Sequence, residues 1–387
     1  MYKKILYVIV LSVLVLSACS PTVPVNTDPG KIVFRGAYTD NQHQGLYYLD
    51  PVGDSSVQTQ LQNLYTPTWT FINPNGSQII TLSLFNGQEN VTTLGIIDSV
   101  NPGDITELVI PRDILAPYVG SYRFNVSFLG DKAYMEYDYG YKSDNGRHFI
   151  VFEITGNGLN KVAESVLTGD YFTASDNGDS PFISRVVLLP TSDATENIIW
   201  LYNMESDKID TLAKQLGDDP NVPSWSPDGS KYIYNTYFDE DHLNCWYLVK
   251  GKTPDQKLIC LPSYWETGTG YGGGGYNDHA WSPDMKYVIV VMSEWANPER
   301  NIMYLINIEH KPKIVATIPI NEGITGLAWS PNGKLLAYSV VNSDFSAIYT
   351  LSIDGTQNML ATAPNYQADD WIAPNGYPQL EVVGWLK

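Results

Sequence analysis

The chain has 387 residues, 43% hydrophobic and 17% charged, with 23 Lys and Arg against 42 Asp and Glu for a formal net charge of −19. That length exceeds a typical single domain unless the architecture is repetitive, and the acidic balance argues against nucleic acid and anionic lipid headgroups as partners. Its 27 Tyr, 10 Trp and 11 Phe, punctuated by Gly and Pro, favour an all-β chain.

Residues 1–18 read as an export signal. Lys3 and Lys4 form a basic start, Ile5 to Leu16 is an apolar run, and small residues follow. The run is too short to span a bilayer comfortably. Leu16-Ser17-Ala18-Cys19 resembles a bacterial lipobox. The resemblance implies cleavage before Cys19 and a lipid on that residue; an ordinary signal peptide that happens to end in Cys is the alternative. Residues 19–30, Pro- and Thr-rich and poor in apolar residues, read as a flexible tether. The expected location is the cell envelope, on the extracytoplasmic side of a membrane, periplasmic or at the cell surface.

From residue 31 onward the chain repeats itself. Lys31 to Phe34 and Gly45 to Asp50 look like the second and third strands of a unit that lacks its first. Phe71-Ile72-Asn73-Pro74-Asn75-Gly76 ends a strand in a tight turn. Phe128-Leu129-Gly130-Asp131-Lys132 keeps an aromatic and a turn, and Ala174-Ser175-Asp176-Asn177-Gly178 keeps only Ser and Asn-Gly. Three strong copies follow: Ser224-Trp225-Ser226-Pro227-Asp228-Gly229, Ala280-Trp281-Ser282-Pro283-Asp284-Met285 and Ala328-Trp329-Ser330-Pro331-Asn332-Gly333. Ser-Pro-Asx-Gly suits a type I turn, with Pro presetting φ and Gly closing it. Trp385 repeats the strand pattern of Trp329 without a turn after it.

The positions equivalent to the tryptophan of the strong copies, 72, 128, 174, 225, 281, 329 and 385, recur about every 50 residues, a spacing that suits four short strands and their turns, the blade of a β-propeller. Residues 31–387 are therefore expected to form seven four-stranded blades, with six or eight as alternatives. The C-terminal strand completes the first blade and hides the open edges. Trp-Ser-Pro-Asp-Gly followed by a strand resembles the TolB-like and related WD-repeat-like propellers; the resemblance implies a fold, not a reaction. Trp225, Trp281, Trp329 and Trp385 then wedge between blades.

In such a ring the first-to-second-strand turns lie on one face, and the longer connections between blades and between second and third strands lie on the other. Two connections between blades stand out: 262–279, with Tyr264, Trp265, Tyr271, Tyr276, Asp278 and His279 around a run of four glycines, and 363–379, with Asp369, Asp370 and Trp371. Asp239, Asp241, His242, Trp295 and the stretch Tyr137 to Lys142 are expected in second-to-third-strand loops. Rings beside carboxylates suit a sugar, a peptide or a cationic partner, or the rings simply pack their own loops.

Chemical motifs are sparse. No Gly-x-Ser-x-Gly elbow and no phosphate-binding loop occurs, and the five histidines have no metal-ligand spacing. His279 occupies a position resembling that of a metal-ligand His in some propeller lyases. No metal or cofactor is expected. Cys245 and Cys260 fall opposite each other if their hairpin centres between Lys252 and Thr253; a disulfide and two reduced core thiols both fit. The sequence supports a membrane-anchored, non-catalytic module that binds a protein or glycan. The alternatives are a polysaccharide lyase or hydrolase with its site at the mouth, and a structural subunit of an envelope assembly.

Overall fold

The computed structural model describes residues 28–387 except 38–43, 53–58, 65–67, 74, 85–91, 99–104, 111–121, 141–145, 169–171, 175–181, 190–195, 215–218, 221–222, 239–242, 252–254, 263–264, 268–278, 295–296, 343 and 365–379. Every regular element among the described residues is a strand. The seven sheets follow the chain in order. Blade 1 takes β1 (Lys31–Ala37), β2 (Gln44–Leu49) and β3 (Thr59–Leu64). Blade 2 is β4 (Thr68–Ile72), β5 (Gln78–Leu84), β6 (Thr92–Asp98) and β7 (Ile105–Ile110). Blade 3 is β8 (Tyr122–Leu129), β9 (Lys132–Gly140), β10 (Gly146–Thr155) and β11 (Gly158–Thr168). Blade 4 is β12 (Phe172–Ala174), β13 (Phe182–Leu189), β14 (Glu196–Asn203) and β15 (Lys208–Lys214).

In blade 5 the innermost strand is in two pieces, β16 (Asp219–Pro220) and β17 (Ser224–Trp225), followed by β18 (Lys231–Phe238), β19 (Leu243–Lys250) and β20 (Gln256–Pro262). Blade 6 repeats the split with β21 (Trp265–Thr267) and β22 (His279–Trp281) before β23 (Tyr287–Glu294), β24 (Asn297–Asn307) and β25 (Lys313–Ile320). Blade 7 is β26 (Gly323–Trp329), β27 (Leu335–Val341), β28 (Phe345–Ser352) and β29 (Gln357–Pro364). The last strand, β30 (Leu380–Leu386), returns to blade 1 and pairs with β1, placing Trp385 directly opposite Ile32. This is a seven-bladed β-propeller closed by its own C-terminal strand.

The repeated turns explain why the innermost strands end where they do. In blade 5 the Gly229 N–H donates to the Ser226 carbonyl at 2.8 Å, and the Ser226 N–H to the Lys231 carbonyl at 2.8 Å. The Ser226 hydroxyl accepts from the Lys231 N–H at 3.0 Å and donates to Asp228 at 2.7 Å. Ser282 with Asp284, and Ser330 with Asn332, repeat this network. All three serines are fully buried, so the Ser-x-Asx pattern satisfies the backbone of a turn that would otherwise bury unpaired groups. The closing residue sits at φ 67° in Gly229 and Gly333, but blade 6 places Met285 there at φ 57°.

Seven apolar clusters hold the ring, one at each junction between blades. Val33 and Leu46 meet Ile79 and Ile97 between blades 1 and 2, and Tyr134 and Phe149 meet Ile183 and Tyr202 between blades 3 and 4. Ile32, Phe34 and Trp385 pack against Ala337 and Ile348 where blade 7 meets blade 1. Each large side chain fully buried in such a seam stabilises the ring by about 1.5–3 kcal/mol.

A ladder of indole hydrogen bonds links blades 5, 6, 7 and 1. Trp385 Nε1 donates to the Ala328 carbonyl at 2.8 Å, Trp329 Nε1 to the Ala280 carbonyl at 3.2 Å, and Trp281 Nε1 to the Ser224 hydroxyl at 3.1 Å. Each tryptophan thus clasps the residue just before the tryptophan of the preceding blade. Trp225 packs between Phe182 and Tyr232, with ring centroids at 4.7 Å from each, and its buried Nε1 has no partner among the described residues.

Three expectations need correction. The 262–279 stretch is not a plain connection between blades, because Trp265–Thr267 already pairs with β23 as part of the innermost strand. Tyr137 to Gly140 belong to β9, not to a loop; alternating Tyr and polar residues suit a strand with two different faces. Ala174 pairs with Arg185, two residues past Ile183, the counterpart of Tyr232. It therefore stops two positions short of the tryptophan register, in a copy that carries no aromatic anchor.

Candidate functional site

Strand direction divides the molecule into two unlike ends. Innermost strands run toward the Ser-x-Asx turns, so those turns and the third-to-fourth-strand turns share one face, here the turn face. The second-to-third-strand connections and the connections between blades leave from the opposite face, the mouth.

The mouth half of the wall carries a belt of buried and half-buried polar side chains. Counting three residues along the second strand from the residue facing the tryptophan position gives Arg35, Glu136, Asn235 and Ser339 in blades 1, 3, 5 and 7. Blades 2 and 6 place Leu82 and Val291 there. Arg35 forms an ion pair with Glu381, its direct cross-strand partner on β30. Burial pushes the Glu381 carboxyl up, and the Arg35 guanidinium works in the other direction. Glu136, wholly buried, accepts from the Ser127 hydroxyl at 3.0 Å.

The belt also ties neighbouring blades together. Asn301 accepts from Ser293 and donates through Nδ2 to the Glu322 carbonyl at 2.7 Å, linking blade 6 to the start of blade 7. Ser339 accepts from the Val382 N–H at 2.9 Å and Ser346 from the Leu380 N–H at 3.1 Å, linking blade 7 to β30. Asn235 Nδ2 donates to the Asn244 side chain and to the Cys245 carbonyl at 3.4 Å. Buried groups paired in this way fix one geometry, because losing either partner costs the desolvation of the other.

One point of the belt is left open. Trp246 is 2% exposed, and its Nε1 has no hydrogen-bond partner among the described residues. Its ring lies 5.4 Å from that of His279, at the start of β22. Thr267 and His279 pair with Met292 and Val290, two residues apart on β23. Thr267 and His279 therefore both belong to the innermost strand of blade 6, on the same stretch of β23.

Of the residues expected at the mouth, His279 is described in full and Trp265 is placed in β21. Tyr264, Tyr271, Tyr276, Asp278, Asp239, Asp241, His242, Trp295, Asp369, Asp370 and Trp371 lie outside the described residues, as does Cys19. Cys245 and Cys260 are register partners on β19 and β20 and are joined by a disulfide. A bulge between Trp246 and Tyr247 shifts the hairpin by one residue nearer its turn. Among the described residues no group of three or more His, Cys, Asp or Glu is placed to hold a metal ion. The belt itself was not anticipated. Its signal was the recurrence of a polar residue at one strand position, visible only once the register is known.

No family model matches the chain, and no curated protein matches it. Solved structures do. Oligogalacturonate lyase in complex with manganese is similar at 16% identity and a TM-score of 0.56, over 84% of this chain and 86% of that one. A hypothetical selenium-binding protein from Sulfolobus tokodaii is similar at 14% identity and a TM-score of 0.56, over 87% and 91%. TolB from Acinetobacter baumannii aligns at 13% identity and a TM-score of 0.43, over 94% and 69%. At such identities the likeness is one of fold: the chain is similar to β-propellers of several activities.

Proposed function

We propose that the chain is a lipid-anchored, extracytoplasmic propeller that acts as a non-catalytic binding module and takes a protein or glycan partner at its mouth. The observation that carries this reading is the contrast between the two faces. The turn face spends its polar groups on its own tight turns. The mouth rests on a preorganised polar belt, with the Trp246 indole N–H and the His279 ring at its edge. Buried, hydrogen-bonded groups behind a loop-bearing face are the usual construction of a recognition surface. The Cys245–Cys260 disulfide supports export, since such bonds persist in oxidising compartments.

The test is binding of the purified protein to a glycan array and to envelope extracts, alongside Trp265→Ala, Trp295→Ala and Trp371→Ala. The reading expects at least one ligand whose affinity falls about tenfold or more in one of these variants, the usual weight of an aromatic anchor. A ligand indifferent to all three would sink the mouth as the site. A stoichiometric transition metal in the purified protein, lost in His279→Ala, would replace this reading with an enzymatic one.

A further inference from the structure

We infer that the turn face is apposed to the surface of a phospholipid bilayer and that the mouth points away from it; the inference rests on the lipid-anchor reading of Cys19. The chain enters the fold on that face. Asp28 accepts from the Gly30 N–H at 2.9 Å, and Gly30 lies against the end of β30, where a Cβ would stand 2.2 Å from the Leu386 carbonyl oxygen. Lys31 then opens β1, one strand away from the channel, at its turn-face end.

Tether length makes this orientation strongly preferred. Ten residues lie between Cys19 and Gly30, eleven Cα–Cα steps in all. As a flexible coil they span about 18 Å; fully stretched they reach about 38 Å. To bring the mouth to the bilayer, the tether would have to cross β2 and β3, about 10 Å, and then climb the height of a strand, about 23 Å. That path of roughly 33 Å needs a nearly straight chain, whereas the turn face meets the bilayer with the tether relaxed.

Charge points the same way. The whole chain is strongly acidic, but Lys31, Lys132, Lys231, Lys286, Lys334 and Lys387 all stand on the turn face around the channel. Three of the carboxylates on this face are engaged locally: Asp228 and Asp284 by their turn serines, Asp131 by Asn75. These lysine heads, with Lys132 also paired to Glu153 and Lys31 also lying over the Tyr48 ring, stand beside carboxylates held as acceptors and lessen the repulsion between this face and a headgroup layer.

The test uses the full chain on vesicles carrying a quencher at the headgroup. Intact mass first reports whether Cys19 bears a lipid; where it does not, a maleimide lipid is coupled to its thiol, so the geometry is tested either way. Dyes are placed by azide–alkyne coupling, which leaves the Cys19 thiol to the lipid, at an azide-bearing residue put in place of Lys334 or Ser230 on the turn face and of Asn321 or Asp344 on the mouth face. The expected result is quenching several-fold stronger at the first pair. Equal quenching, or the reverse, overturns the inference. Lysine acylation of the unsubstituted protein gives a second readout. Lys31, Lys132, Lys231, Lys286 and Lys334 should be protected on vesicles relative to detergent, and unchanged modification of all five counts against the apposition.

Discussion

A Cβ placed on Gly326 would lie 2.1 Å from the carbonyl oxygen of Val382. The two residues sit on the innermost strands of blade 7 and of the closing blade, where two backbones approach with no room for a side chain. Gly326→Ala must therefore push β30 away from β26. The expected cost is about 2 kcal/mol or more, seen as a lower urea midpoint and as faster proteolysis near the closing strand. A midpoint within error of the unsubstituted protein would mean that the two strands are not held this close.

The turn of blade 6 departs from its siblings. Met285 occupies the left-handed position that Gly229 and Gly333 fill in blades 5 and 7, a conformation that L-residues adopt at a cost. Met285→Gly should raise stability by about 0.5–1 kcal/mol, the relief of strain outweighing the extra freedom of glycine in the unfolded chain. A thermal scan decides it, and a loss of stability would show that the Met285 side chain contributes more by packing than its backbone costs.

Asp228 responds to acid. Burial works to raise its carboxyl, but hydrogen bonds from Ser226 and Ser230 and the nearby Lys231 charge prevail and hold it below the ordinary aspartate value of 3.8. A depressed carboxyl contributes stability that is fully present above the unfolded value and is lost as pH falls through the folded one. Below about pH 4, Asp228→Asn should therefore lose stability with acid less steeply than the unsubstituted protein. The gap at neutral pH should stay under about 1 kcal/mol, because solvent screens the exposed group. Asn332 fills the same place in blade 7, accepting from its turn serine and from the backbone N–H two residues on, so the substitution keeps the turn. Parallel acid titration curves would remove Asp228 from the account.

Cys245 and Cys260, 15 residues apart, staple the two outer strands of blade 5. Closing a loop of that size restricts the unfolded chain by about 3 kcal/mol. A double Cys245→Ala, Cys260→Ala variant should fall in stability by about 2–4 kcal/mol. Alkylation followed by intact mass should label these cysteines only after reduction. Labelling without reductant would show free thiols.

Much of the ring was readable from sequence because its most informative residues act locally. Ser226, Asp228 and Gly229 specify a turn within a few residues, and Trp225, Trp281 and Trp329 mark the strand before it. Trp385 opposite Ile32 was equally legible, as an orphan first strand matched to an orphan second and third. Ala174 was misplaced because its copy lacks an aromatic residue to set the register. Trp265 was assigned to a loop because its short strand precedes a run of glycines, and only pairing with Glu294 makes it part of the sheet. The polar belt was invisible for a deeper reason. Arg35 and Glu381 are 346 residues apart, and no local pattern in either strand announces the other.

The shared first blade has a consequence for biogenesis. As the chain emerges from its N-terminus to its C-terminus, blades 2 to 7 can form in turn, but β1 keeps a bare edge until Leu380–Leu386 has followed. For that interval the partial ring exposes an edge able to recruit strands from other molecules. A chain stopped at Gln379 should therefore aggregate or be degraded rather than persist as a six-bladed body, and holdase chaperones should bind it in preference to the finished protein.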